Sequence, residues 1–175
     1  ILDGRDSAVN SSIVETNGSG DFVAQLQSLL GKYKAESSLA WVVGRSTAMD
    51  RDYRENAART DFELLTGKAG EAVANIAGVR SIIEATHDSG KTDQDIPPIA
   101  IKRADGTLPA IAQNDAFIDI NFRSDRQRSK IASLAGARGF LESEGSSRGR
   151  QWDGSWIDHG LNLDICGIAE YHPIF

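Results

Sequence analysis

Short runs of β-forming residues alternate along this chain with longer stretches in which apolar residues recur at helical spacing. The predicted strands are Leu39–Val43, Ile99–Ile101, Phe117–Phe122 and Leu163–Ile168. Such alternation favours an α/β domain, because parallel strands are joined by crossover helices that then cover the sheet. We therefore predict an α/β fold, a three-layer α/β/α sandwich with a mostly parallel sheet that is covered on both faces.

Four helices are predicted from apolar periodicity and from residues that begin or end helices. They are expected at about Phe22–Tyr33, at about Tyr53–Leu65, at about Gly70–Thr86 and after Ser124. In the first helix, Phe22, Leu26 and Leu29 belong to the stripe of an amphipathic face, which is expected to pack on the core. Asp52 and Glu55 stand in capping-box spacing at the start of the second.

Two further segments carry turn signals rather than helix or strand patterns. Residues 102–114 contain Asp105-Gly106 and are predicted to form a hairpin-like excursion. Residues 142–160 are rich in Gly, Ser and Arg, and we predict a surface loop held down by Trp152 and Trp156.

The composition is that of a globular domain with no general affinity for polyanions or membranes. The 175 residues are 40% hydrophobic and 25% charged, enough for one core and too few for two comfortable domains. The formal charge of -6 argues against nucleic-acid binding, and no apolar run approaches the ~18 residues of a membrane span. The chain begins at Ile1 without an initiator Met or a signal-peptide pattern, so residues 1–175 are expected to be a single, incomplete domain.

The nucleophilic and titratable residues give no sign of a metal site or an independent catalytic centre. Cys166 lies in an apolar run and is predicted to be a buried strand thiol. The histidines, His87, His159 and His172, have no metal-ligand spacing with one another or with Cys166, so no metal is expected to bind this chain. The sequence also lacks a glycine-rich phosphate loop and a G-x-S-x-G elbow.

Arginines recur where the predicted strands stop. Arg45, Arg123 and Arg126 each come within a few residues of such an end, and Arg5 follows the short apolar run Ile1-Leu2 in the same way. Ligands of open α/β sheets bind beyond the carboxyl ends of strands, so these arginines are predicted to converge on one pocket. A guanidinium group holds a carboxylate or phosphate through paired hydrogen bonds, and a helix capped at Ser124 would add the positive end of its dipole. The sequence therefore predicts a local anion-binding pocket.

These arginines belong to three segments that together resemble a known family. The segments are Leu2-Asp3-Gly4-Arg5-Asp6, Gly44-Arg45 with Ala48-Met49-Asp50-Arg51-Asp52, and Asn121-Phe122-Arg123-Ser124-Asp125-Arg126. Their order and approximate spacing resemble those of the cofactor-independent, or 2,3-bisphosphoglycerate-independent, phosphoglycerate mutases of the alkaline phosphatase superfamily. Weaker similarity at Lys91-Thr92-Asp93 and Ala169-Glu170-Tyr171 extends the resemblance over nearly the whole chain.

The resemblance implies a cytoplasmic isomerase of glycolysis and gluconeogenesis that interconverts 3-phosphoglycerate and 2-phosphoglycerate. A phosphatase domain with two manganese ions and a serine that is transiently phosphorylated is expected elsewhere in the polypeptide and is absent from this chain. The chain itself resembles the transferase domain, which grips the substrate across the cleft while the phosphate moves to the serine and back. Alone, it is expected to be inactive, and its partners are expected to be the substrate and the phosphatase domain, without nucleic acid or membrane.

The roles of the site residues are also implied by the resemblance. Arg5 and Asp6 match the pair placed against the glycerate hydroxyls, with Asp6 as the catalytic acid or base. The surrounding arginines would keep Asp6 ionised, so that it first accepts a proton. The residues that match the arginines holding the carboxylate and phosphate of the substrate are Arg45, Arg51, Arg123 and Arg126.

Two departures from the family pattern leave alternatives open. Ser46-Thr47 stand where the family commonly has two aromatic residues, and Ser7-Ala8 stand where prolines are usual. One alternative is therefore a related mutase that acts on another phosphorylated hydroxy acid. Another is a non-catalytic anion-binding α/β module, which is disfavoured because a carboxylate such as Asp6 would repel an anionic ligand.

Overall fold

The computed structural model describes residues 1–2, 19–32 and 38–173, and the chain divides into two compact units. The first unit comprises Ile1–Arg45 and Gly67–Pro109, and the second comprises Ser46–Thr66 and Ala110–Phe175. Each unit has a small sheet and a hydrophobic core of its own. The predicted α/β class is confirmed, with its strands in two sheets, while the single incomplete domain stays a prediction.

Six α-helices, two short 3-10 helices (Asp93–Asp95 and Gly154–Ile157) and five strands occur among the described residues. The helices are α1 (Ser19–Lys32), α2 (Arg45–Ala48), α3 (Glu55–Leu65), α4 (Ile76–Asp88), α5 (Ser124–Leu134) and α6 (Arg138–Ser147). The strands are β1 (Trp41–Val42), β2 (Glu71–Val73), β3 (Ile99–Ile101), β4 (Ala116–Asp119) and β5 (Asp164–Gly167). Within these described ranges, no helix is long and apolar enough to cross a membrane.

The first unit is built on a three-stranded sheet in the order β1–β3–β2. β3 pairs antiparallel with β1 and parallel with β2, so that Ala100 lies opposite Trp41 on one side and Ala72 on the other. Helix α4 contacts β2 and β3, and its Val79 and Ile83 are fully buried in the core of this unit. This packing uses the apolar face that the sequence predicts for the third helix.

The second unit combines a two-stranded parallel sheet with three helices. In the sheet, β4 pairs with β5 and Ile118 lies opposite Cys166. Helix α5 packs against both α3 and α6, and Trp152 and Trp156 pack on the core that these elements enclose. The buried core residues are Tyr53, Ala132, Leu141 and Ile157. The prediction that the two tryptophans hold their segment down is therefore confirmed.

The start of the predicted third helix is wrong. Residues 71–73 form β2 instead, and α4 begins only after Asn75, whose side chain accepts a hydrogen bond from the Gly78 N–H at 3.3 Å. Gly70 has a φ of +112°, a backbone conformation that does not belong to a helix. Helical spacing of apolar residues does not show where the N-cap lies. Here the N-cap is Asn75, and the apolar Val73 before it belongs to a strand.

The start of the predicted second helix also differs. Helix α3 begins at Glu55, and the capping box predicted for Asp52 and Glu55 is wrong, because Arg54 occupies the N-cap position without a side-chain cap. The Glu55 carboxylate instead accepts hydrogen bonds from Trp156 Nε1 at 3.0 Å and from the Asp153 N–H at 2.9 Å. The local pattern assigns this carboxylate to the helix cap, but in the structure it binds the distant segment that contains Asp153 and Trp156.

Helix α6 lies partly inside the segment predicted as a loop. The glycines and serines of this segment do not predict a helix. In the structure, Leu141 and Gly145 are buried on one side of it. Arg138 pairs with Glu142 one turn further on, with Nε 2.7 Å from Oε1. A Cβ at Gly145 would overlap the ring of Trp152. The glycine is therefore needed for close packing, which composition alone does not reveal.

Two predicted apolar surfaces face the other way in the structure. Helix α1 is present, but Phe22, Leu26 and Leu29 are exposed, while Val23 is 5% exposed and joins the core. The buried face is thus turned by one residue from the predicted stripe. Cys166 lies in a strand as predicted, but its thiol is exposed and not buried, because it points away from the face of β5 that contains Ile165.

Candidate anion-binding site

Two of the predicted arginine segments contact each other within the second unit. Arg126, in the first turn of α5, donates a hydrogen bond from Nη1 to the carbonyl oxygen of Met49 at 3.0 Å. Asn121, which precedes α5, donates from Nδ2 to the Met49 sulfur at 3.8 Å. The α2–α3 loop, residues 49–54, is therefore fixed against the beginning of α5.

The α2–α3 loop is also closed on itself by an internal ion pair. Arg54 Nε lies 2.8 Å from Asp50 Oδ1, and the Arg54 N–H donates to Asp50 Oδ2 at 2.7 Å. The second guanidinium nitrogen of Arg54 donates to the carbonyl oxygen of Ser46 at 2.8 Å. The Asp50 side chain is 2% exposed and that of Arg54 is 41% exposed, so this charge-assisted pair is open to solvent on the arginine side. It gives the loop a defined shape without any ligand.

Tyr53 stores backbone strain in the same loop. Its φ is +51°, and a bulky residue in this region costs on the order of 1–3 kcal/mol unless its surroundings hold it there. Trp152 Nε1 donates to the Tyr53 carbonyl oxygen, and Arg150 Nε donates to that of Asp52, both at 2.9 Å. The Arg148 guanidinium lies 4.9 Å from the centre of the Tyr53 ring. Burial raises the pKa of the Tyr53 phenol above its usual value of 10.0.

Arg51 and Arg123 extend from this framework towards solvent. Arg51 is an exposed residue of the loop, and the Arg123 side chain is 40% exposed, with Nε 3.5 Å from Asp125 Oδ1. The predicted cap at Ser124 is wrong, because Ser124 is the first helical residue and Arg123 is the N-cap without a side-chain cap. The Arg123 N–H donates to Asn121 Oδ1 at 3.0 Å and the Arg126 N–H to the Arg123 carbonyl oxygen at 3.2 Å. The positive end of the α5 dipole lies at this start of the helix.

Arg45 belongs to the first unit, where it begins α2 and is 5% exposed. Its N–H donates to the Leu2 carbonyl oxygen at 2.9 Å, and the Leu2 N–H donates to that of Val43 at 2.9 Å. Gly44 lies so close to the backbone of Gln94 that a Cβ would overlap it. The beginning of the chain is thus paired with the segment that contains Arg45.

The predicted site residues fall into three groups. Arg51, Arg123 and Arg126 lie in the second unit, on segments that contact each other, and Arg45 lies in the first unit. Arg5 and Asp6 lie outside the described residues. The convergence of all the arginines on one pocket therefore stays a prediction.

Sequence reasoning missed the residues that hold the arginines in position. They are Asp50, Tyr53, Arg54 and Asn121. Asp50 and Arg54 stand four residues apart with opposite charges, a signal that could have identified their pairing. The contact of Asn121 with Met49 spans 72 residues of sequence, and no local pattern announces it.

Two of the histidines make contacts within the fold. His87 Nε2 lies 2.8 Å from Asp93 Oδ1 in the interior of the first unit. In the second unit, His159 Nε2 donates to the Ser133 carbonyl oxygen at 2.8 Å, and its ring stacks on Phe62 with centroids 4.9 Å apart. In the part of the chain that the structure describes, no group of three or more His, Cys, Asp or Glu side chains is arranged to hold a metal ion.

The fold and the site define an α/β domain in which an arginine-bearing loop is fixed to the start of an arginine-bearing helix. A family model described as the N-terminus of the BPG-independent phosphoglycerate mutases (BPG-independent PGAM N-terminus) matches residues 1–171. The chain belongs to this family of 2,3-bisphosphoglycerate-independent phosphoglycerate mutases, and the predicted resemblance is confirmed.

Relatives that bear this name come from distant organisms. The protein of Caenorhabditis elegans is 29% identical over 173 residues, which are 99% of this chain and 28% of the relative. That of Sulfurimonas denitrificans is 32% identical over 175 residues, 100% of this chain and 29% of the relative. That of Cereibacter sphaeroides is 34% identical over 167 residues, 94% of this chain and 29% of the relative. The chain thus spans less than a third of the length of these relatives.

A solved structure supports the fold. Phosphoglycerate mutase of Leishmania mexicana, determined at low cobalt concentration, matches with a TM-score of 0.70 over 97% of this chain and 28% of that protein. The sequence identity is 19%, so this likeness concerns the fold alone.

Proposed function

We propose that this chain is the substrate-clamping domain of a phosphoglycerate mutase that interconverts 3-phosphoglycerate and 2-phosphoglycerate. The observation that carries the proposal is the bond from Arg126 to Met49, which fixes the loop of Arg51 against the helix start of Arg123. Guanidinium groups on neighbouring segments, next to a helix N-terminus, suit a small ligand with both a carboxylate and a phosphate. Membership of the phosphoglycerate mutase family supports the choice of reaction.

The proposed task of this domain is to retain the glycerate while its phosphate is moved. The phosphate passes to a serine of a second domain and returns to the other hydroxyl, so the intermediate glycerate has to turn without leaving. Arg45, Arg51, Arg123 and Arg126 would hold the acid groups, and Arg5 and Asp6 would face the hydroxyls, with Asp6 moving the proton. Because the ion pair and the remote contacts already fix the backbone of the loop that carries Arg51, the cost of ordering this segment when substrate binds is reduced.

The metal chemistry of the proposed reaction belongs to the rest of the polypeptide. The described residues of this chain offer no cluster of metal-ligating side chains, so they do not fit the two manganese ions that we propose for the phosphatase domain. The nucleophilic serine is proposed for that domain as well. A cytoplasmic role in glycolysis and gluconeogenesis completes the proposal.

The decisive experiment measures turnover of 3-phosphoglycerate by the full-length parent with manganese. Arg123→Ala removes one guanidinium from the clamp, and kcat/KM is expected to fall by about 10²–10³, as for other removed charge-stabilising donors. Asp6→Asn removes the proposed proton carrier and is expected to lower kcat by about 10²–10⁴.

A surface arginine of the same unit provides the matched control. Arg59 lies on α3 with its side chain 54% exposed and paired with Glu63, and Arg59→Ala is expected to leave kcat/KM within about twofold, since exposed pairs contribute little. Unchanged turnover in both Arg123→Ala and Asp6→Asn would refute the assigned roles.

A further inference from the structure

One face of the β4–β5 sheet is apolar and exposed to solvent. Along residues 116–122, exposure alternates strictly, with the even-numbered residues exposed and the odd-numbered residues half-buried or buried. Ile118 pairs in register with Cys166, and the Ile168 N–H donates to the Asp119 carbonyl oxygen, so the even-numbered residues of β5 share this side. This apolar sheet face consists of Ile118, Ile120, Phe122, Cys166 and Ile168, and its isoleucines and Phe122 are 61–83% exposed.

Such a face is unusual for a parallel sheet. Parallel strands are found almost only where both faces are covered, and a two-stranded sheet is marginal in water without further cover. The sequence carries part of the same signal, because Ile165 on one side and Cys166 and Ile168 on the other give this strand segment apolar residues on both faces. Sequence pattern and structure together therefore indicate that something covers the apolar sheet face in the complete protein.

The size of the face favours a cover from the same polypeptide over a second copy. Five side chains form the face, whereas a stable interface between separate proteins typically uses about 20–30 residues on each side. A stable interface between separate proteins buries ~800 Å² on each partner. A tethered segment does not pay the cost of bringing two molecules together, so a small apolar face is sufficient for it.

Such a segment has ample chain to come from, because residues 1–175 match only 28–29% of the length of the relatives. We propose that the apolar sheet face is the docking surface for an apolar-faced segment of the same polypeptide that lies outside residues 1–175. This inference rests on the proposed function only in placing the chain within a longer mutase, and it does not depend on the substrate or on the arginines.

A photo-crosslinker on the face identifies the occupant directly. In the full-length parent, Phe122→p-benzoylphenylalanine keeps an aromatic ring at an 83% exposed position. After irradiation, peptide mapping is expected to find a cross-link within one molecule to residues outside 1–175. A cross-link to residues within 1–175, a cross-link between two molecules, or no cross-link above that of the control would each overturn the proposal. The control is p-benzoylphenylalanine at Ser146, an exposed position of α6 that lies outside the apolar sheet face.

Labelling of Cys166 gives a second, independent measure of cover. In the full-length parent, the rate of maleimide labelling in the native protein is divided by the rate in the denatured protein. This ratio is expected to be at least tenfold lower for Cys166 than for the cysteine introduced by Ser146→Cys. Protection should persist on hundredfold dilution, and its loss on dilution would assign the cover to a second copy and overturn the proposal. Equal labelling ratios at Cys166 and at position 146 would also overturn the proposal. Mutase turnover measured on the same samples tests the proposed function separately, because docking and activity can fail independently.

Discussion

Lys130 and Asp61 form an ion pair in the interior of the second unit, with Lys130 Nζ 3.3 Å from Asp61 Oδ2. Their side chains are 8% and 4% exposed, and Asp61 Oδ1 has no hydrogen-bond partner among the described residues. Lys130 lies one helical turn after Arg126 on α5. The pair therefore fixes α5 to α3 next to the bond that fixes the α2–α3 loop to α5.

Removal of one partner is expected to destabilise this unit strongly. Asp61→Asn or Lys130→Met leaves the other charge buried and uncompensated, which typically costs about 3–5 kcal/mol in the free energy of unfolding. Urea denaturation of each variant, followed by circular dichroism, measures the loss.

The double variant separates the cost of an orphaned charge from the net value of the pair. Asp61→Leu combined with Lys130→Met replaces both charges by apolar side chains, and such replacements are often neutral or stabilising by about 1–4 kcal/mol. A double variant as unstable as either single variant would contradict this account, and the pair would then contribute net stability.

Two glycines of α6 are expected to respond in opposite directions to the same substitution. Gly145→Ala places a methyl group into the ring of Trp152, and such overpacking is expected to cost about 1–3 kcal/mol. Gly139→Ala meets no described atom within 4 Å and is expected to gain about 0.5–1 kcal/mol, because alanine loses less conformational freedom in a helix. Thermal or urea unfolding measures both, and destabilisation of equal size would contradict the assigned packing.

Local pattern predicted much of this fold because the strands and most helices are defined by residues close in sequence. The run Ile99–Ile101 is β3, and the periodicity of Val79 and Ile83 identified the buried face of α4. The boundaries and the contacts that depend on distant partners were not predictable in this way. Gly145 packs against Trp152, which lies outside α6, and the buried Asp61 pairs with Lys130, far along the chain.

In the candidate site, too, local patterns were predictable and contacts between distant residues were not. The strand-end rule selected Arg123 and Arg126, but the segment that contacts Arg126 is the α2–α3 loop, and β1 and β4 belong to different sheets. The rule did not predict that one guanidinium nitrogen of Arg126 donates a hydrogen bond to the Met49 carbonyl oxygen. That bond, like the hydrogen bond from Trp152 to the Tyr53 carbonyl oxygen, joins the α2–α3 loop to residues far along the chain.

The ion pair inside the α2–α3 loop provides a third prediction. Asp50→Asn replaces an acceptor-only carboxylate that binds both the Arg54 N–H and its guanidinium group. Loss of this charge-assisted pair is expected to cost about 1.5–3 kcal/mol and to speed hydrogen exchange in residues 49–54. Asp52→Asn changes an exposed neighbour and is expected to stay within about 0.5 kcal/mol of the parent. Unchanged exchange in Asp50→Asn would mean that the hydrogen bonds from Arg126, Trp152 and Arg150 hold the loop without this ion pair.

The last prediction concerns alkaline pH and Tyr171. Its hydroxyl donates to the carbonyl oxygens of Asn121 at 2.8 Å and Asp119 at 3.2 Å, and Arg128 Nε donates to the Tyr171 carbonyl oxygen at 2.8 Å. Burial, and then the nearby Asp119 carboxylate, raise the pKa of the Tyr171 phenol above its usual value of 10.0. The native state therefore holds the phenolic proton more tightly than the unfolded state does.

The sign of the pH dependence follows from that difference. Below pH 10.0 the stabilisation from Tyr171 is fully present, and as the pH rises through the raised pKa, the free energy of unfolding falls. Tyr171→Phe is expected to cost about 0.5–1.5 kcal/mol near neutral pH through the lost hydrogen bond and to show a shallower decline above pH 10.0 than the parent. Urea unfolding from neutral to alkaline pH measures both effects. Tyr53, whose pKa is also raised by burial, remains in the variant, so the decline should be reduced and not abolished; identical slopes in parent and variant would show that the Tyr171 hydroxyl carries no part of it.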